Sequence, residues 1–201
     1  MLQAETVRER LDRIRSEVGS DVTIVAATKY VSVEDMAALA EGGIEVVGEN
    51  RAQDLQAKHS AHGDLFHWHF IGHLQSRKAK IVNGICELVH SLDSESAAQR
   101  LDVPALVEVN LSNEESKSGI APEDLPRFLD LYDDVRGLMT MPPLAEDPEA
   151  SRPYFRGLRE LAEGHGLREL SMGTSQDYRV AVEEGATLIR LGRVLYGGDG
   201  R

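Results

Sequence analysis

The sequence is short of the residues that staple a fold, span a membrane or announce a familiar chemistry. It has one cysteine, Cys86, so no internal disulfide can form, and a disulfide-built secreted scaffold is excluded. No apolar run approaches the ~20 residues that cross a bilayer. The stretch Met1–Gly19 has no apolar core of the signal-peptide kind. Basic residues are scarce: 22 Lys and Arg stand against 34 Asp and Glu, a net charge of −12. Such a field repels polyanions, and phosphate neutralisation supplies most non-specific nucleic-acid affinity. A small anion in one local pocket stays compatible with it. The dinucleotide loop GxGxxG, the phosphate loop GxxxxGK[ST] and the nucleophile elbow GxSxG are all missing. The expectation is a cytoplasmic, monomeric protein that engages neither membrane nor nucleic acid.

What is present is ordinary globular composition, 41% hydrophobic and 28% charged over 201 residues. A chain of this length buries roughly 70% of its unfolded surface. No composition shift marks a boundary, so one domain is expected over residues 1–201. Met141–Pro148, with three prolines, reads as a loop.

Periodicity predicts an amphipathic helix over Ala4–Val18, with Val7, Leu11, Ile14 and Val18 on one face and Gly19 as its stop. Short apolar runs then alternate with helical segments. Strands are predicted at Val22–Ala27, Ile44–Val47, Trp68–Ile71, Leu88–His90, Ala105–Val109, Gly137–Met139, Leu170–Ser171 and Leu188–Leu191. Helices are predicted at Val33–Ala40, Ala52–Lys58, Leu74–Val82, Ser94–Leu101, Glu123–Tyr132, Ser151–Glu163 and Gln176–Glu184, and a short turn at Arg193–Tyr196 closes the chain. Eight βα units imply parallel strands and an α/β fold, a single (β/α)8 TIM barrel, with a doubly wound open sheet as the rival. The N-terminal helix would cover the gap beside the short last helix.

In such a barrel, chemistry sits at the C-terminal ends of the strands. Lys29 ends an almost wholly apolar strand, and a desolvated lysine makes an amine nucleophile. A lysine reaching solvent or a carboxylate is the plainer account. Ser171-Met172-Gly173-Thr174-Ser175 follows a strand and opens a helix, which suits an anion; Thr174 or Ser175 as a helix cap suits it equally. Leu191-Gly192-Arg193 adjoins it, where barrels often hold phosphate. Arg190 lies inside the last strand and needs an acceptor, from a ligand or a structural ion pair. His67 and His69 share a strand face with His73 beyond, but no acidic or cysteine partner has ligand spacing, and no metal site is assigned. Cys86 reads as a buried structural thiol.

An ordered set of segments resembles a known family. They are Ala26-Ala27-Thr28-Lys29, Gly48-Glu49-Asn50, Trp68 to Ser76, Val109-Asn110, Ser116-Lys117-Ser118-Gly119, Arg136 to Met139, Ser171-Met172-Gly173 and Ile189-Arg190-Leu191-Gly192. The chain resembles the pyridoxal 5′-phosphate (PLP) homeostasis proteins, whose barrel is that of the alanine racemase N-terminal domain (PLP fold type III). The resemblance implies PLP held as an internal aldimine on Lys29. It implies a phosphate held at Ser171, Gly173, Thr174 and Gly192, and Arg190 facing the pyridine nitrogen. Asn50, His73, Asn110 and Met139 become further cofactor contacts. Thr174 stands where the family pattern has methionine and Arg77 where it has asparagine, and the chain is shorter around Glu146–Ala150.

An arginine at the pyridine nitrogen keeps that nitrogen unprotonated and weakens the ring as an electron sink. Alanine racemase also draws a tyrosine base from a second domain, which is not expected here. Tyr30 and Tyr196 lie nearest the strand tops without a visible acid/base partner. The expectation is therefore a PLP carrier and regulator with no catalytic residues and no assigned reaction, with apo PLP-dependent enzymes as candidate recipients. A PLP-dependent racemase or decarboxylase is the alternative, and a phosphate-binding barrel enzyme without PLP a lesser one.

Overall fold

The computed structural model describes residues 2–112, 114 and 117–197. Eight parallel strands close into a barrel in chain order: β1 Thr23–Ala27, β2 Val46–Glu49, β3 His67–Phe70, β4 Leu88–Leu92, β5 Ala105–Glu108, β6 Val135–Met139, β7 Glu169–Thr174 and β8 Leu188–Leu191. β8 returns to pair with β1, Val25 lying opposite Arg190. The open-sheet rival is thereby excluded.

The outer ring is made of helices α1 Ala4–Val18, α2 Met36–Glu41, α3 Ala52–His62, α4 Ala79–Asn83, α5 Glu95–Ala98, α6 Leu125–Leu131, α7 Arg152–Gly164, α8 Tyr178–Glu183 and α9 Arg193–Tyr196. α1 matches its predicted span and buries the predicted Val7, Leu11, Ile14 and Val18. It packs against α2, α8 and α9, so it closes the ring beside the four-residue α9. Other helices start later than the periodicity predicts. Ser76–Lys78, Pro122–Asp124 and Pro148–Ser151 are wound as tight 3₁₀ turns instead. In the last two, proline at the first position presets φ but supplies no N–H, which suits such entries. α2 is delayed because Ser32 Oγ accepts the Asp35 N–H at 3.2 Å and holds a turn there.

Two cores result. The larger lies between strands and helices and includes Trp68, Phe155, Leu39 and Leu125. The smaller is the barrel interior, where Val25, Leu88, Leu106, Met139 and Leu188 meet. Strand alternation sends these inward and sends polar His69, His90, Glu108, Ser171 and Arg190 inward with them. All five are buried. A buried polar set of this size inside a barrel is the first structural sign of a site.

β7 departs most from expectation. It continues through Thr174, so Ser171 is an interior strand residue and not part of a loop. Its register against β8 shifts between Ser171 and Thr174. Gly173 has φ +90°, a conformation L side chains rarely adopt, and an added Cβ would lie 2.6 Å from Ala181 Cβ. Glycine is required there so that α8 can sit close on the strand.

Candidate functional site

At the C-terminal ends of the strands lies a cleft of about 820 Å³. Of the residues predicted for the site, Lys29, Asn50, His73, Met139, Thr174, Arg190 and Gly192 line it. Asn110, Ser171 and Gly173 do not. Asn110 folds its own loop: its Oδ1 accepts from Ser112 N and Oγ, and its Nδ2 donates to Glu114 O at 2.9 Å. Ser171 is fully buried beneath the cleft. Gly173 serves the packing of α8. Ser116 lies outside the described residues.

Lys29 follows β1 by two residues and is exposed, its Nζ 4.7 Å from the Tyr30 ring centroid. The desolvated setting read from the apolar strand belongs to Thr28, which is fully buried. Thr28 Oγ1 donates to Glu49 Oε1 at 2.5 Å, and Lys58 Nζ donates to Glu49 Oε1 at 2.5 Å and to Thr28 O at 2.7 Å. The backbone just before Lys29 is thus clamped by a buried ion pair from β2 and α3. Burying two charges is repaid only by good geometry and further hydrogen bonds, which Thr28 supplies.

Arg190 leans in from β8. One guanidinium nitrogen donates to Ser171 Oγ; the other donates to Thr140 O at 3.1 Å and contacts Met141 Sδ at 2.9 Å. Burial pulls its pKa down to about 10, opposed by the charges of Glu108 and Asp177, so it stays cationic at neutral pH. The structural ion pair considered for it is not what holds it: its described hydrogen bonds go to a hydroxyl, a carbonyl and a thioether.

Below Arg190 a polar chain crosses the barrel. His90 Nδ1 lies 2.7 Å from Ser171 Oγ, and His90 Nε2 lies 2.9 Å from His69 Nδ1. His69 in turn borders a depression at the N-terminal ends of the strands. Desolvation holds both imidazoles neutral, His69 at about 4 and His90 well below its ordinary value, with neighbouring His69 and cationic Arg190 adding to the effect on His90. The direction of the chain follows from chemistry. Arginine can only donate, so Ser171 Oγ accepts from Arg190, and the one described acceptor within reach of its buried O–H is His90 Nδ1, to which it therefore points. His90 then carries its proton on Nε2 and donates to His69 Nδ1. The network cannot pass a proton to the guanidinium; it fixes where Arg190 sits.

Glu108, at the top of β5, also lines the cleft. Burial raises its pKa, with Asp93 adding to the effect and the Ser118 hydroxyl, donating at 2.8 Å, opposing it. Asp93 sits 3.3 Å from His73 Nδ1. His67 pairs with Glu87 at 2.8 Å, so the three histidines considered together for a metal have separate partners. Among the described residues no group of three metal-ligating side chains occurs. Thr174 N and Oγ1 both donate to Asp177 Oδ1, and Asp177, not Thr174 or Ser175, is the residue before α8. Cys86 is buried and its thiol pushed up to about 12, the state of an inert structural cysteine. No helix among the described residues is long and apolar enough to cross a membrane.

The sequence reading missed Lys58, Glu108 and the His69–His90–Ser171 chain. A lone carboxylate in the apolar run Leu106-Val107-Glu108-Val109 is a legible signal for one of them. Lys58 carries no such mark, because its partner Glu49 is nine residues away and on another element.

Comparison with known proteins places this geometry in context. Residues 2–200 match the model of the family described as "Alanine racemase, N-terminal domain". A protein of Aquifex aeolicus named pyridoxal phosphate homeostasis protein is 39% identical, covering 95% of this chain and 94% of that one. One of Pseudomonas aeruginosa with the same name is 36% identical, covering 96% and 94%. The solved structure of PipY from Synechococcus elongatus PCC7942 with PLP bound is 33% identical, with a TM-score of 0.85, 95% of this chain and all of that one covered. Alanine racemase of Clostridium difficile 630 is 13% identical with a TM-score of 0.77; all of this chain covers 58% of it, a likeness of fold alone.

Proposed function

The chain belongs to the alanine racemase N-terminal-domain family, and from that premise we propose that it binds PLP on Lys29 and serves as a carrier in PLP homeostasis. The observation that carries this is the cleft itself, where one exposed amine and one fixed guanidinium stand at the strand tops. The residues present fit the cofactor. Lys29 offers an accessible primary amine, and Gly192 leaves the floor beside β8 open: among the described residues, Ala27 O and Tyr196 Oη alone come within 4 Å of where a Cβ would be. Arg190 offers a cationic donor that cannot become an acceptor.

When bound, PLP supplies an aldehyde and an electron-withdrawing ring. Lys29 would hold the cofactor by offering its amine to that aldehyde. The Glu49–Lys58–Thr28 clamp orients the segment from which Lys29 projects. Arg190, held from below by Ser171 and from the side by Thr140 O, presents donors only. A ring nitrogen placed beside it would keep its lone pair, which would weaken the ring as an electron sink and favour holding over turnover. Gly192, Ser175 and Thr174 line the part of the cleft that would take its phosphate. Asn50, His73 and Met139 form the remaining wall. The carrier acts as a cytoplasmic monomer, and its recipients are apo PLP-dependent enzymes.

The test is titration of the protein with PLP. A visible imine band is expected at one PLP per chain, lost in Lys29→Ala. Incubation of the loaded protein with amino acids in deuterated water checks the carrier reading. No exchange of α-protons and no carbon dioxide release are expected; brisk exchange or release would make it a racemase or decarboxylase.

A further inference from the structure

The phenolic oxygen of Tyr196 is buried and has no hydrogen-bond partner among the described residues. Tyr196 lines the cleft where β8 passes into α9. A buried hydroxyl left unpaired is costly, and each one in a native fold calls for a ligand, an ion or a water to complete it. The surroundings say which. A carbon placed on Gly192 would lie 3.7 Å from this hydroxyl and 3.6 Å from Ala27 O, so the missing side chain leaves space within reach of the phenol. Gly192 N donates to Ser175 Oγ at 3.2 Å, which brings a second hydroxyl to the same spot. Ser175 and Arg193 also line the cleft. Two hydroxyls and a guanidinium on this wall suit the oxygen of an anion. Burial raises the Tyr196 pKa, with the Glu49 charge adding to it, so the phenol keeps its proton and remains a donor.

We propose that the Tyr196 hydroxyl donates to an anionic oxygen seated over Gly192, namely the phosphate end of the cofactor. The identity of the ligand rests on the function proposed above; the donor role does not, because inorganic phosphate alone can probe it. Glu49 Oε2 is also buried and has no partner among the described residues. One buried water between it and Tyr196 would satisfy both groups without any ligand, and this is the rival outcome.

The experiment uses the full chain and Tyr196→Phe, with affinities for PLP, pyridoxal and inorganic phosphate and the thermal midpoint of the apoprotein. The expected result is a loss of roughly ten-fold or more in PLP and phosphate affinity, unchanged pyridoxal affinity and an apoprotein no less stable. Unchanged phosphate and PLP affinity overturns the proposal, as does equal weakening of PLP and pyridoxal. A destabilised apoprotein with unchanged phosphate affinity assigns the hydroxyl to the water beside Glu49. Wild type that binds phosphate but not PLP leaves the donor role standing and removes the cofactor reading; wild type that binds neither removes both. A fluorotyrosine at position 196 gives a second reading in the unmutated site. Its ¹⁹F resonance is expected to move when inorganic phosphate is added, and a stationary resonance overturns the proposal.

Discussion

Replacing Lys58 by methionine keeps the length of the side chain and removes its charge. In the native protein the ammonium is 6% exposed and the Glu49 carboxylate is fully buried. Loss of the ammonium leaves that carboxylate with one hydrogen bond among the described residues, from Thr28 Oγ1. Breaking a buried pair by removing one partner costs about 3–5 kcal/mol, because the remaining charge is stranded. For a protein of this size a kcal/mol moves the midpoint by ~2–4 °C, so Lys58→Met should melt roughly 6–20 °C lower. The Thr28 carbonyl also loses its Lys58 donor, which loosens the backbone before Lys29 and should slow imine formation. Pairing the change with Glu49→Gln removes the stranded charge while keeping an acceptor for Thr28, and should recover most of the stability. Denaturant melts of wild type, both single variants and the double variant, arranged as a double-mutant cycle, measure this. A single variant that costs under ~1 kcal/mol, or a double variant no more stable than Lys58→Met, would refute the clamp.

Three further outcomes are expected. Ser171→Ala removes the shared partner of Arg190 and His90 and should cost about 1–3 kcal/mol; ¹⁵N spectra should show the His90 Nε2–H tautomer in wild type and a changed population in the variant, whereas the opposite tautomer in wild type contradicts the direction derived for the chain. His69 is held near 4 in the fold against 6.5 unfolded, so the unfolded chain takes up the proton first, and stability should be intact above pH 6.5 and fall by up to about 3 kcal/mol as pH drops towards 4; a pH series in which His69→Gln has the same slope as wild type argues against it. Gly173→Ala forces a Cβ onto Ala181 at a positive φ and should cost about 1–3 kcal/mol, seen as a lowered midpoint; an unchanged midpoint would mean that α8 does not pack as described.

The barrel was legible because its signals are local. Eight short apolar runs separated by helical periodicity specify the strand count and order, and β8 appears at its predicted limits. Interior polarity was less legible. His69 and His90 look like isolated histidines in sequence, and Ser171 lies 81 residues beyond His90; their contact exists only once the barrel closes. Loop readings failed where a strand outran its apolar stretch. β7 runs on past its apolar stretch because β6 pairs with it as far as Ser171 and β8 pairs with Thr174 beyond, so Ser171 turns inward beneath Arg190 and leaves the cleft wall to Thr174 and Ser175. Lys29, Arg190 and Gly192 were found at the cleft because each lies within two residues of the C-terminal end of a strand.

The central claim is that one particular lysine holds the cofactor. Loading the protein with PLP, reducing it with borohydride and mapping the phosphopyridoxyl adduct by peptide mass spectrometry tests it directly. The account predicts a single adduct on Lys29. An adduct carried instead by Lys58, Lys78, Lys80 or Lys117, the chain's other lysines, or a loaded protein with no reducible adduct, would contradict it.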